Sequence, residues 1–298
     1  MQPHAIDCQQ VNKEYPHFKL TDINLQVKAG SVMGFVGPNG AGKSTTMRII
    51  MGLIRADHGS VRVLGKSMPD QQIAAKQDIG FVSEDMRLYG SKSIGFHMDF
   101  IRAIYPGWDE RLATSMLERF NLVREQKVKG LSHGQRVKAS LLLVLARSPK
   151  LLILDEPTTG LDPVARQEIM AEMKKVLADE DRSILFSSHN TLDVEQISDH
   201  ITFILDGRII DSRDKVSFLN SWRRLSLQLP DTSSDIPEDM NLLDLQRDGS
   251  GAIAVTDNFS EQLVTRLKQH GTSVCNAESM SLEDIFLARV NSNREVTS

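Results

Sequence analysis

Gly37-Pro38-Asn39-Gly40-Ala41-Gly42-Lys43-Ser44-Thr45 decides how this chain of 298 residues is read. A short apolar run, Val32 to Val36, leads into it. Ser44 to Gly52 follows, with Met47, Ile50 and Met51 on one side of a helix. Strand, glycine-rich loop and helix in that order form a phosphate-binding element. Its glycines let successive amides turn inward toward phosphate oxygens, and the helix N-terminus adds the positive end of its dipole. In this pattern Lys43 neutralises the β- and γ-phosphates of a nucleotide, and the Ser44 hydroxyl is a ligand for Mg²⁺.

A magnesium nucleotide site also needs a carboxylate at the end of a neighbouring strand and a second group that orients the attacking water. Leu151-Leu152-Ile153-Leu154-Asp155-Glu156 supplies both, with Asp155 on the metal side and Glu156 as the catalytic carboxylate. Leu151 to Leu154 and Ile184 to Phe186 are continuous apolar runs, as expected of parallel strands buried on both faces. Between them, Pro163 to Ala178 reads as an amphipathic helix with Asp162 at the N-cap and Pro163 at its first position. Together they predict a β-α-β crossover.

Further out, Ile23, Leu25 and Val27 alternate with polar residues, which predicts half-exposed antiparallel strands in a leading sheet. From about Glu84 to Lys150 the pattern is helical, with Leu112, Met116, Leu117 and Phe120 on one face and a break at Pro106-Gly107. Ile201 to Leu205, Asp206-Gly207 and Arg208 to Ile210 read as a hairpin with a primed turn. A separate small α+β domain is expected over 225–298. It contains the alternating Leu225, Leu227 and Leu229, a hairpin at Asp248 to Gly251, a helix with Leu263, Val264 and Leu267, and a last helix opened by the pair Ser281 and Asp284.

Composition places few limits on this reading. The chain is 40% hydrophobic and 25% charged with a net charge of -4, a mild acidity that argues against broad electrostatic binding of nucleic acid. Cys8 and Cys275 are too few for a disulfide framework or a thiolate zinc site and suit a reducing compartment. Met1 to Asp7 lacks a basic segment followed by an apolar stretch, so no secretory leader is expected there. The longest apolar run, Leu141 to Ala146, falls far below the roughly 18 residues that a membrane helix needs.

Leu131-Ser132-His133-Gly134-Gln135 resembles the signature sequence of ATP-binding cassette (ABC) proteins and precedes Asp155 at their usual spacing. The resemblance covers about residues 1–224. It implies an α/β phosphate-loop NTPase core with a mainly parallel sheet, an antiparallel β subdomain and a helical signature subdomain over about 85–150. The small α+β domain is additional. In that family the signature completes the ATP site of the opposite subunit, so Ser132, Gly134 and Gln135 are expected to act in trans in a head-to-tail dimer. His133 replaces the family's more usual glycine. Thr159-Gly160-Leu161-Asp162 resembles the loop that crosses the dimer interface, and His189 matches the switch histidine that contacts the γ-phosphate. Tyr15 resembles the aromatic that stacks on adenine, with Phe18 close by. Glu84 departs from the family, whose usual glutamine ligates Mg²⁺ and links the site to the membrane subunit. A glutamate there still offers a metal ligand but adds negative charge.

The resemblance thus implies an ATPase that uses ATP and Mg²⁺, works through separate integral membrane permease subunits, and sits on the inner face of the cytoplasmic membrane. Gly80-Phe81-Val82-Ser83-Glu84-Asp85, Tyr105-Pro106-Gly107-Trp108-Asp109 and Leu282-Glu283-Asp284-Ile285-Phe286 are similar to bacterial efflux cassettes, so export is expected ahead of import. The competing class is a non-transport cassette ATPase that acts as a regulatory switch or on nucleic acid or ribosomes. Such proteins usually contain two cassettes, long coiled-coil insertions or zinc cysteines, and none of these is present in the sequence.

Overall fold

The strand that leads into the glycine-rich loop is buried at all five of its residues, and the rest of the first compact unit is arranged around it. The computed structural model describes residues 4–177, 182–230, 236–237, 240 and 242–297. They divide into two compact units, Met1–Ile209 and Ile210–Ser298.

In the first unit β1 (His4–Tyr15) and β2 (Phe18–Lys28) form an antiparallel pair. Leu20, Ile23, Leu25 and Val27 face inward while their neighbours stay wet, the alternation of a sheet with one covered face. After β3 (Val32–Val36) and α1 (Lys43–Ile50) the chain returns to this sheet as β4 (His58–Val63) and β5 (Lys66–Met68), giving the order β2-β1-β4-β5. A short α2 (Gln72–Lys76) then leads to β6 (Ile79–Ser83).

A helical segment follows: α3 (Ile94–Ile104), α4 (Glu110–Arg119) and α5 (His133–Leu145). Pro106-Gly107 lies between α3 and α4, where the sequence predicts a break. Asp109 caps α4 by accepting from the amides of Arg111 and Leu112. Ala113, Met116 and Phe120 are the buried face of this stretch.

β7 (Leu151–Asp155), α6 (Pro163–Leu177) and β8 (Ser183–Ser188) are the predicted crossover, and β7 and β8 are parallel neighbours. The predicted end of this helix, Ala178, lies outside the described residues. Asp162 caps α6 as expected, its Oδ1 accepting from Val164 N and Ala165 N at 2.9 Å each. After α7 (Thr191–Ile197) come β9 (His200–Leu205) and β10 (Arg208–Asp214), joined by Asp206 and Gly207 at φ 47° and 72°, the positive angles of a primed turn. The main sheet runs β9-β3-β8-β7-β6, all parallel, with the start of β10 beyond β9. Every residue of β3, β7 and β8 is buried, as the uninterrupted apolar runs require. Gly34 in β3 is needed for close packing, since a Cβ there would fall 2.1 Å from Val194 Cγ1 of α7.

The second unit contains α8 (Lys215–Ser221), β11 (Arg223–Gln228), β12 (Leu242–Asp248), β13 (Gly251–Thr256), α9 (Glu261–Gln269), β14 (Ser273–Ser279) and α10 (Leu282–Thr297). Its antiparallel sheet runs β12-β13-β11-β14. Leu225, Leu227 and Leu229 pack with Leu263 and Leu267 of α9. The sequence suggests a break near Arg224, where the alternation starts, but the compact division falls at Ile209/Ile210. In the stretch between the two positions Arg213 pairs with Asp211 and Asp257, and Arg289 of α10 pairs with the same two carboxylates. Those contacts hold 211–213 to the later elements.

Candidate nucleotide site

The loop between β3 and α1 is shaped by three glycines with different tasks. At Gly37 a Cβ would fall 2.4 Å from Ile204 O. Gly40 and Gly42 adopt φ of 82° and 113°, a region that strains any residue with a Cβ. Gly42 is the N-cap of α1 and offers no side-chain acceptor to the first-turn amides. Those donors and the dipole of α1 are left for an anion.

Lys43, 5% exposed, turns back over the loop. Its Nζ donates to Gly37 O at 2.6 Å and Pro38 O at 3.1 Å, and lies 3.0 Å from Glu156 Oε1. Glu156 stands just beyond β7 with φ 52°, a left-handed conformation uncommon for a residue with a side chain. Its backbone amide donates to Ser187 Oγ at 2.9 Å, and that hydroxyl donates to Asp155 Oδ1 at 2.7 Å. A single serine of β8 thereby fixes both acidic residues. Glu156 Oε2 accepts from Thr159 Oγ1 at 2.8 Å and His189 N at 3.3 Å, and His189 Nδ1 lies 2.8 Å away. Burial pushes the Glu156 carboxyl up, but the Lys43 ammonium and the hydrogen bonds from Thr159, Lys43 and His189 outweigh it and hold the group below its ordinary 4.5. The resting site is an ionised carboxylate between a buried ammonium and an imidazole.

A second layer steadies these groups. Asp193 of α7, 2% exposed, accepts from Thr158 Oγ1 at 2.8 Å and pairs with Arg166 at 2.7 Å, tying the start of α7 to the loop after β7. Asn190 caps α7 through Leu192 N, so His189 sits on a fixed turn.

A cleft of about 450 Å³ opens over the loop. Of the predicted residues, Asn39, Gly40, Gly42, Lys43, Ser44, Thr45, Glu84 and Glu156 line it. Asp155 and His189 join it through Ser187 and Glu156. Tyr15 does not line the cleft; Phe18 and His17 do, and Phe18 Cζ comes within 3.0 Å of where a Gly42 Cβ would stand. Tyr15 instead has the Lys13 ammonium over its ring, 5.6 Å from the centroid. Ser132, Gly134, Gln135 and Asp162 are also absent from the lining. Ser132 and Gln135 form a reciprocal capping box at the start of α5, Ser132 Oγ accepting from Gln135 N and Gln135 Oε1 from Ser132 N. Sequence reasoning missed Ser187 and Asp193. Ser187 stands two residues before His189 but looks like any small strand residue until β7 and β8 pair.

A parallel sheet with a phosphate loop at the carboxyl end of β3, and carboxylates at the end of β7, which is not the adjacent strand the sequence predicts but stands one strand further on with β8 between, defines a nucleotide-hydrolysing protein of the phosphate-loop class. Residues 20–159 match the family model for the ABC transporter. The chain is 28% identical to the ABC transporter ATP-binding protein YtrB of Bacillus subtilis, over 97% of this chain and 96% of that one. It is 30% identical to the Nod factor export ATP-binding protein I of Neorhizobium galegae, over 95% of this chain and 84% of that one. Among solved structures it resembles cbiO1 from Clostridium perfringens, described as part of an ABC transporter complex, with a TM-score of 0.60, 26% identity and coverage of 71% of this chain and 88% of that one. The chain belongs to the ABC transporter family as an ATP-binding and ATP-hydrolysing subunit.

Proposed function

We propose that two copies of this chain, or one copy and a related subunit, bind two MgATP in a head-to-tail dimer on the inner face of a membrane, and that their closure drives export through separate permease subunits. The observation that supports it best is the separation of the signature from the chain's own cleft. Ser132, Gly134 and Gln135 sit at the start of α5 and do not line the space over Gly37 to Thr45. A second subunit offering those groups completes the site. ATP then favours the closed dimer because the signature contacts exist only there.

The oxygen donors in the cleft suit Mg²⁺, which favours hydroxyl, carboxylate and phosphate ligands. Ser44 and Glu84 would hold it, with Asp155 contributing through water. When bound, the ion neutralises charge on the β- and γ-phosphates. Lys43 exchanges its contacts with Gly37 O and Pro38 O for phosphate oxygens. Glu156, kept ionised, accepts a proton from the attacking water as its oxygen bonds to the γ-phosphorus and the bond to the β-phosphate oxygen breaks. His189 orients Glu156 and reaches the γ-phosphate. Phe18 or Tyr15 packs on the base.

Coupling to the permease runs through the segment from Asp85 to Ile104. Phe96, Phe100 and Ile104 stand four residues apart on α3 and are 40%, 49% and 47% exposed, with Tyr89 at 66%. A stripe of this kind suits a protein partner. His97 holds the loop to α3, its Nε2 accepting from Tyr89 N and its Nδ1 donating to Ser93 O. Among the described residues no helix is long and apolar enough to cross a membrane. The name of the relative in Neorhizobium galegae, an export ATP-binding protein, favours export.

Purification of the full chain from detergent-solubilised membranes is the test. A permease that co-purifies and stimulates ATP turnover is the expected result. Recovery of the protein with no membrane partner and unstimulated turnover would sink the transporter reading in favour of a regulatory switch.

A further inference from the structure

His133 occupies the signature position where the family more usually has glycine, and its side chain makes a contact that glycine has no atoms to make. Its Nε2 lies 3.0 Å from Thr159 O. A carbonyl oxygen only accepts, so Nε2 bears the proton. The same Thr159 donates its hydroxyl to Glu156 Oε2 at 2.8 Å. One residue therefore receives a hydrogen bond from the signature and gives one to the catalytic carboxylate. The imidazole rides on a fixed base, because the capping box between Ser132 and Gln135 locks the first turn of α5. The loop passes close beneath the ring: a Cβ on Gly160, at φ 69°, would stand 3.5 Å from His133 Nε2. Next door, a Cβ on Gly134 would come within 3.2 Å of Ala165 Cβ at the start of α6. Thr158, one residue back, is anchored to the buried Asp193. The segment between Glu156 and Asp162 is thus held at Thr158 by α7, at Thr159 by the carboxylate, and from the signature side by the hydrogen bond of His133.

We propose that His133 is a positioning residue that links the signature of one ATP site to the catalytic carboxylate of the other. It fixes the Thr159 backbone and through it the hydroxyl that aims Glu156. The intersite part rests on the head-to-tail reading above, in which Ser132 and Gly134 engage the nucleotide of the partner while Glu156 works on its own. Engagement of the signature by that nucleotide then sets the orientation of Glu156 in the same chain.

The test is steady-state ATP hydrolysis by the full chain as a function of ATP concentration, with five variants. His133→Ala lowers kcat by about two- to tenfold, the range of one intramolecular hydrogen bond, leaves KM unchanged and lowers the Hill coefficient. His133→Gln, whose amide nitrogen reaches to about the same place, restores both. Thr159→Val lowers kcat, and His133→Ala combined with Thr159→Val is no slower than Thr159→Val alone, because the two residues act in series. Should His133→Ala fail to fold, His133→Gly replaces it. Wild-type kcat and Hill coefficient in His133→Ala, or losses that multiply in the double variant, would overturn the proposal. Ser132→Ala separates this from the underlying reading. If Ser132→Ala hydrolyses ATP at the wild-type rate, head-to-tail completion fails; if it is inactive while His133→Ala is normal, only the linking role fails.

Discussion

Replacing Glu156 by Gln tests the assignment of the catalytic carboxylate with little disturbance of its surroundings. The native carboxylate faces Lys43 Nζ with one oxygen and Thr159 Oγ1, His189 Nδ1 and His189 N with the other. An amide reproduces most of this: its oxygen accepts from Lys43, and its NH₂ donates to the Thr159 hydroxyl, which rotates to accept, and to a His189 Nδ1 free of its proton. The His189 amide loses its acceptor, and the ion pair becomes an ion–dipole contact. Those changes amount to about 1–2 kcal/mol of stability, below the roughly 3–5 kcal/mol for a buried charge left without any partner, because Lys43 keeps Gly37 O and Pro38 O. The midpoint of thermal unfolding then falls by a few degrees, about 2–4 °C for each kcal/mol in a unit of this size. Chemistry suffers far more. An amide accepts no proton from water, and loss of a general base costs about 10²–10⁴ in rate, or roughly 3–5 kcal/mol in the barrier. Phosphate release, equilibrium binding of ATP and a thermal melt, run on the same preparation, give all three numbers. Turnover within threefold of wild type, or loss of ATP binding from a folded variant, would refute the reasoning.

Acid adds a second signature of the same group. Because the folded chain holds the Glu156 carboxyl below its ordinary 4.5, its contribution to stability is present above that pH and lost as pH falls through the lower folded value. The difference in melting temperature between wild type and Glu156→Gln should therefore be largest near neutrality and shrink below about pH 4.5; a difference that grows in acid contradicts the assignment. The two aromatics near the loop are separable by binding: Phe18→Ala is expected to weaken ATP by about tenfold, the worth of one base-stacking contact, while Tyr15→Ala changes it less than twofold, and the reverse order by calorimetry restores Tyr15 as the adenine platform. Phe100→Asp, at a half-exposed position on α3, should leave the melting temperature within about 2 °C and abolish co-purification of the permease, so retention of the partner would remove α3 from the docking face. Asp193→Ala leaves Arg166 and Thr158 without their shared acceptor and is expected to cost about 3 kcal/mol, the scale of a broken buried ion pair, as read in a urea titration.

Much of the fold was legible because burial on both faces leaves a strong mark. Val32 to Val36, Leu151 to Leu154 and Ile184 to Phe186 have no polar position to hide, and each became a central strand. The capping pair Asp162 with Pro163 and the turn Asp206-Gly207 are local devices whose chemistry is complete within a few residues. By contrast, β4 and β5 went unread. They are short, include glycine and lysine, and become strands only by pairing, β4 with β1 across a bulged register and β5 with β4. The pairs Arg213–Asp257 and Arg289–Asp211 went unread for a related reason: they join residues far apart in sequence, and no short window along the chain contains both ends.

The site divides in the same way. The sequence alone named the candidate groups, since the loop from Gly37 to Thr45, the acid pair Asp155-Glu156 and the turn at His189 are each a contiguous pattern with its own chemistry. Only the tertiary structure decided how they act on one another. Ser187 holding Asp155 and the Glu156 amide, Lys43 facing Glu156, Phe18 lining the cleft over the loop, and His133 reaching Thr159 all depend on strand pairing and loop packing. Distances of about 3 Å decide a hydrogen bond, and a linear pattern specifies residue types and spacing but not the approach of side chains from different elements.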